Sequence, residues 1–169
     1  GETVQEARPA FYQEYARRVR PAEPFERLRR RTERHAAKHG GPPHVLLVPI
    51  GNPAVRSARA HFARNVFGVA GFAVEEPLGF DAPEDGAQAA ADIGADLVVL
   101  CGADEAYPDL APTLCRALDA AGADPLVVVA GDVPEHRDAL KAAGVDAFVH
   151  RRMPLLETLE SIQQRLGIT

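Results

Sequence analysis

The stretch HVLLVPIGNPAVRSARAHFARNVFGVAGF, residues 44–72, reads as a strand, a tight turn and a helix. His44 to Ile50 is a nearly continuous apolar run, the pattern of a strand covered on both faces. Asn52 is placed to cap the helix that follows, and Pro53 suits its first turn. Val55, Phe62, Val66 and Val69 then recur at helical spacing, with Arg56, Arg59 and Arg64 between them. Gly71 ends the unit. In a parallel α/β protein the turn after such a strand is where a ligand is held. Here the turn carries one glycine and neither an acid nor a histidine, so it is neither a dinucleotide fingerprint nor a P-loop.

The same alternation continues outward. Residues 72–76 read as a short second strand, 82–94 as an Ala-rich helix and ADLVVLC (95–101) as a third strand. A helix over 107–121, a strand over 124–131, a helix over 134–143, a strand over 145–150 and a closing amphipathic helix from Met153 follow. Five strands alternating with helices imply an all-parallel sheet covered on both faces. Right-handed crossovers favour the order 2-1-3-4-5, a flavodoxin-like (Rossmann-like) doubly wound sheet.

Charge divides the chain. Residues 1–40 hold ten Lys and Arg against six Glu, whereas the remainder holds nine basic and eighteen acidic side chains. The break falls at Gly40-Gly41-Pro42-Pro43, giving an N-terminal helical arm (1–41) and an α/β domain (42–169). The arm reads as two short helices, one with Phe11, Tyr12, Tyr15 and Val19 on a stripe, the other with Phe25 and Leu28. A helix pair this short cannot bury its rings against itself. The second helix is expected to pack on the α/β domain. The first, with Phe11, Tyr12, Tyr15, Arg17 and Arg18, is expected to meet a partner, since arginine and aromatic residues are enriched at interface hot spots.

No apolar run approaches the roughly 18 residues that span a bilayer, and the opening residues lack the apolar core of a secretory signal. Two isolated cysteines, Cys101 and Cys115, make no disulfide framework, so reduced thiols in the cytoplasm are expected. Arginines in the arm interleave with Glu26 and Glu33, favouring ion pairs along the helix over a nucleic-acid surface. No catalytic triad order is present. The third strand ends in Cys101-Gly102 where a phosphoacceptor receiver would carry aspartate. The six histidines are scattered, and no metal site is expected. Asp104-Glu105 is placed to act as a base, or simply to be solvated at a helix start. His150-Arg151-Arg152 at the end of the fifth strand is placed to bind an anion, or to form a solvated turn.

From about Pro9 to Ile168 the chain resembles the small subunits of bacterial methylmalonyl-CoA mutases, over their C-terminal cobalamin-binding-like region. The stretches that carry this are RPAFYQEYARRVRPAEPFERLR, NPAVRSARAHFARNVFGVAGF, GADLVVLCGADEAYPDLAPTL and VVVAGDVPEHRDALKAAGVDAFVHRRMPLLETL. Cobalamin-binding members of the family carry Asp-x-His-x-x-Gly after the first strand, with the His on cobalt, the Asp orienting it and the Gly admitting the nucleotide tail. At the matching positions this chain has Pro53, Val55 and Ala58. The family's Ser-x-Leu after the third strand appears as Cys101-Gly102-Ala103, and its paired glycines after the fourth as Ala130-Gly131. Valine has no lone pair for cobalt and proline no carboxylate behind it. The resemblance therefore implies a degenerate domain with no cofactor of its own, no catalytic residue and an assembly role. The implied partner is the large catalytic subunit of a heterodimer, which would carry adenosylcobalamin and isomerise methylmalonyl-CoA to succinyl-CoA. The alternatives are a domain that retains cobalamin or a nucleotide-like ligand in an altered cleft, and a free-standing adaptor or regulatory module.

Overall fold

A computed structural model describes residues 22–169. The expected first arm helix, with Phe11, Tyr12, Tyr15, Arg17 and Arg18, lies outside the described residues. The elements are α1 (Ala22–His39), β1 (His44–Pro49), α2 (Pro53–Val69), β2 (Ala73–Glu75), α3 (Pro83–Ile93), β3 (Leu97–Cys101), a 3-10 turn (Asp104–Ala106), α4 (Tyr107–Ala120), β4 (Leu126–Ala130), α5 (Arg137–Ala143), β5 (Ala147–Val149) and α6 (Leu155–Arg165). The strands form one parallel sheet in the order β2-β1-β3-β4-β5, as expected from the alternation.

The strand side chains alternate between two apolar layers. Val45 and Leu47 of β1, Leu97, Val99 and Cys101 of β3, and Val128 and Ala130 of β4 face α1, α2 and α6. Leu46 and Val48, Val98 and Leu100, and Val127 and Val129 face α3, α4 and α5. This period of two, with both sets buried, is why the strands read as continuous apolar runs. The amino ends of the strands are tied by carboxylates. Asp96 Oδ2 accepts from the His44 N–H at 2.8 Å, and Asp146 Oδ2 accepts from the Val127 N–H at 2.8 Å. Arg165 holds Asp146 in turn, Nη2 to Oδ1 at 2.7 Å. Gly86 lets α3 lie close to β1, since a β-carbon there would meet Val48 Cγ1 at 2.6 Å.

One expectation about α2 changes. Val55 and Val69 were expected on its apolar stripe, yet both are exposed, and the buried residues are Ala60, Ala63, Val66 and Phe67. The two alanines allow the helix to lie close to the sheet. Its first turn projects past the strand ends, leaving Gly51 through Val55 all exposed.

Helix α1 is continuous with the core of the α/β body. Leu28 is fully buried in the layer built by α2 and α6, with Phe25 packed against it. The buried Gln163 of α6 donates through Nε2 to the Leu28 carbonyl at 2.7 Å and to Thr32 Oγ1 at 3.0 Å. Gly71, at φ +79°, backs onto Arg29 and Thr32. On the outer face Arg27 pairs with Glu23, Arg29 with Glu33 and Arg30 with Glu26, each one turn apart. Such exposed pairs contribute little. The buried leucine contributes much more.

Leu28→Ala is expected to destabilise the whole domain by about 2–5 kcal/mol, the range for emptying a leucine site in a packed core. Urea unfolding of the chain should show one transition at a lower midpoint. A variant whose midpoint matches the parent would mean that α1 contributes nothing to the stability of the body.

Candidate functional site

Ligands of parallel α/β sheets bind beyond the carboxyl ends of the strands. Three loops meet there. The β1–α2 loop turns at Gly51, whose φ of +97° suits glycine. Asn52 then caps α2, its Oδ1 accepting from the Ala54 N–H at 3.0 Å and the Val55 N–H at 3.3 Å. Two of the helix's free amide donors, the groups that would otherwise meet a phosphate, are thereby engaged by the protein itself. Pro53, Ala54, Val55 and Ala58 are exposed and uncharged, and Val55 offers only methyl groups at this turn.

The loop after β3 is closed inward. Cys101 is fully buried, and burial pushes its thiol up to about 12, far from the thiolate form that nucleophilic chemistry needs. The Gly102 N–H donates to Tyr107 Oη at 3.0 Å, and that hydroxyl donates to the Ala130 carbonyl. Tyr107 is itself fully buried, and burial raises its pKa further from neutrality. Neither group is a nucleophile or base in this setting.

Arg59 joins the loops. From the second turn of α2 it donates through Nη1 to the Ala130 carbonyl, while Nη2 stands 2.9 Å from Asp104 Oδ1. The Asp104 contact is a charge pairing without the alignment of a full hydrogen bond, since Oδ1 is buried with no hydrogen-bond donor aimed at it. Burial opposes the guanidinium charge, but Tyr107 and Asp104 together outweigh it and hold the Arg59 pKa above its ordinary value. These three side chains pack directly over Gly131. A β-carbon on that glycine would stand 2.5 Å from Arg59 Nη1, 2.9 Å from Asp104 Oδ1 and 2.9 Å from Tyr107 Cε2. The space opened by Gly131 is therefore taken up by the protein's own groups. Asp104, one of the two expected bases, is committed to Arg59, and Glu105 is exposed in the 3-10 turn.

What remains is an open cleft of about 400 Å³, lined by Ala58, Arg59 and Phe62 of α2, Asp104, and the β4 and β5 ends through Arg152. The anion-binding candidates border it. His150 Nδ1 accepts from the Arg152 N–H at 3.2 Å, and Nε2 lies 3.9 Å from Asp132, a loose pairing. Asp132 also faces Arg137 at 3.3 Å, and Arg137 stacks over Phe148. His150 is thus held within its own turn, and Arg151 and Arg152 project to solvent.

Sequence reasoning placed Pro53, Val55, Ala58, Cys101, Ala103, Ala130 and Gly131 at one end of the sheet. The loops bring them to that end, with Ala103 half-buried between Gly102 and Asp104. It missed Arg59, read as one of several intervening arginines. The available signal was a single arginine one residue past Ala58, on the helix face that also carries Ala63 and Phe62. The histidines also arrange differently from a scatter. His61 pairs with Glu76 at 3.2 Å alongside Arg64, and His35 and His39 stack one turn apart.

No family model matches the chain. It is 40% identical over 149 residues to the methylmalonyl-CoA mutase small subunit of Porphyromonas gingivalis, a match covering 88% of this chain and 23% of that protein. To the methylmalonyl-CoA mutase small subunit of Streptomyces virginiae it is 35% identical over 152 residues, covering 89% and 23%. A protein named methylmalonyl-CoA mutase from Cereibacter sphaeroides is 31% identical over 126 residues, covering 73% and 18%. Among solved structures, a response regulator receiver protein from Burkholderia phymatum superposes with a TM-score of 0.51 at 16% identity, covering 75% of this chain and 97% of that one. That likeness concerns the fold alone. The chain spans about a quarter of the length of the curated small subunits it matches. With most of its own length aligned at this identity, and with the flavodoxin-like order of strands, the chain belongs to the methylmalonyl-CoA mutase small-subunit family, of which it forms one α/β segment.

Proposed function

We propose that this segment is the C-terminal, cobalamin-binding-like domain of a non-catalytic mutase small subunit, that it holds no cobalamin, and that its task is assembly with a large catalytic subunit. The observation that carries the reading is Arg59 over Gly131. In a cobalamin-binding domain of this family the nucleotide tail runs between the loops that Arg59, Asp104 and Tyr107 here close with an ion pair and hydrogen bonds to Ala130. Val55 has no donor for cobalt, Pro53 no carboxylate to orient one, and Asn52 has engaged the amides of the first turn. The residues present do not fit the cofactor. In this reading the large subunit carries adenosylcobalamin and isomerises methylmalonyl-CoA to succinyl-CoA, and the radical chemistry belongs to that cofactor.

The assembly role is supported by what lies around this end of the sheet. Pro53, Ala54 and Val55 at the start of α2 are exposed and uncharged, and Leu78, in the loop after β2, is 86% exposed. Among the described residues no helix is long and apolar enough to cross a membrane. The remaining partner surface we assign to Phe11, Tyr12, Tyr15, Arg17 and Arg18, upstream of the described residues.

Three outcomes test this. Titration of the chain with hydroxocobalamin should leave the corrin spectrum unchanged, and Val55→His alone should not alter that, because Ala58 and the Arg59 contacts still obstruct the tail. A spectral shift with sub-micromolar affinity in the parent chain would remove the proposal. Supplied with adenosylcobalamin, the chain alone should not turn over methylmalonyl-CoA. Tyr12→Ala together with Tyr15→Ala should weaken association with the large subunit while leaving the melting temperature of the domain nearly unchanged. A double variant that melts well below the parent and still assembles would place those rings in this fold and not at a partner.

A further inference from the structure

His35 and His39 lie on α1, their rings stacked with centroids 4.0 Å apart and planes 18° from parallel. His39 Nδ1 is 2.9 Å from the His35 carbonyl oxygen. A carbonyl oxygen only accepts, so Nδ1 carries the proton and Nε2 keeps its lone pair. Metal-binding imidazoles use this arrangement, donating from the second ring nitrogen to a carbonyl or carboxylate. Both rings border a cavity of about 500 Å³ that His44 and Asp96 also line. Asp96 spends Oδ2 on the His44 backbone N–H. The cavity is at the amino ends of the strands, opposite the Arg59 cleft, so what happens here is independent of the function proposed above.

Histidines at i and i+4 on one helix face are the spacing by which zinc is gripped in metalloprotease helices. Two nitrogens held by one tetrahedral zinc, each at about 2.0–2.1 Å, are roughly 3.3 Å apart. In the stacked arrangement the two in-plane lone pairs run side by side, so gripping one ion requires both rings to turn out of the stack until those lone pairs converge. No three His, Cys, Asp or Glu side chains among the described residues already converge on one point. The helix therefore offers a two-imidazole chelate whose other positions are open. We propose that His35 and His39 bind a divalent late transition ion of the zinc, nickel and copper class, with water or the neighbouring His44 imidazole completing its coordination. Imidazole ligands select such ions over magnesium and calcium, which prefer oxygen.

Zinc chloride titrated into the chain in chelator-free buffer at neutral pH, followed by calorimetry and by the imidazole proton resonances, tests this. One saturable site is expected, with the His35 and His39 resonances shifting together. His35→Ala and His39→Ala should each weaken binding by at least about tenfold, one decade of dissociation constant being the smallest loss that distinguishes a ligand from a bystander. His61→Ala, on α2 beside Glu76, should leave binding unchanged. Alanine favours a helix, so both variants should keep the parent's circular dichroism and melting temperature. An absence of saturable binding at millimolar zinc, or binding of undiminished strength in a folded His39→Ala variant, would overturn the assignment.

Discussion

Side chains of β1, β3 and β4 alternate between two apolar layers, and helices close both layers to water. A strand covered on both faces has no room along its length for a charge without a buried partner. Polar chemistry in this molecule is consequently displaced to the strand ends. At the amino ends it takes a structural form, with Asp96 and Asp146 accepting backbone N–H groups of neighbouring strands and Arg165 clamping Asp146. At the carboxyl ends it takes the form of Arg59, Asp104 and Tyr107, gathered over Ala130 and Gly131.

The carboxyl end keeps the geometry of a ligand cradle and directs it inward. A glycine after β4, a tight turn after β1 and a capped helix are the parts a parallel sheet uses to receive a cofactor. Here Asn52 takes two amides of the cap, and the glycine admits a guanidinium and a phenol from the same chain. The tyrosine hydroxyl and the Gly102 amide find partners in each other and in Ala130, which satisfies polar groups that would be costly to bury alone. Polar groups spent on one another in this way favour rigidity of the strand ends.

Helix α1 keeps its charge and its packing on opposite faces. Its exposed face carries the arginines and glutamates that set it apart from the acidic body, yet its inner face contributes Leu28 to the core and a backbone carbonyl to Gln163. Exposed ion pairs along a helix are weak, whereas one buried leucine and a satisfied buried amide are not. Further along that inner face, near the amino ends of the strands, lie the stacked imidazoles of His35 and His39.

The local patterns were legible in the residues alone. Continuous apolar runs marked the strands, Asn52-Pro53 marked the start of α2, and alternation of strands with helices led to the order 2-1-3-4-5, because each of these depends on neighbours a few residues apart and on the handedness of crossovers. The missing donors at Pro53 and Val55 were legible too, since side-chain chemistry does not depend on folding. Tertiary structure alone decided which of several arginines turns inward, which face of α2 is buried, that Gln163 reaches Leu28 across 135 residues, and that Arg59 reaches Ala130 across 71. Those contacts join segments far apart in the chain, and the residue types involved are equally at home on a solvated surface. Only the packing of α2 and α6 on the sheet brings their partners within reach.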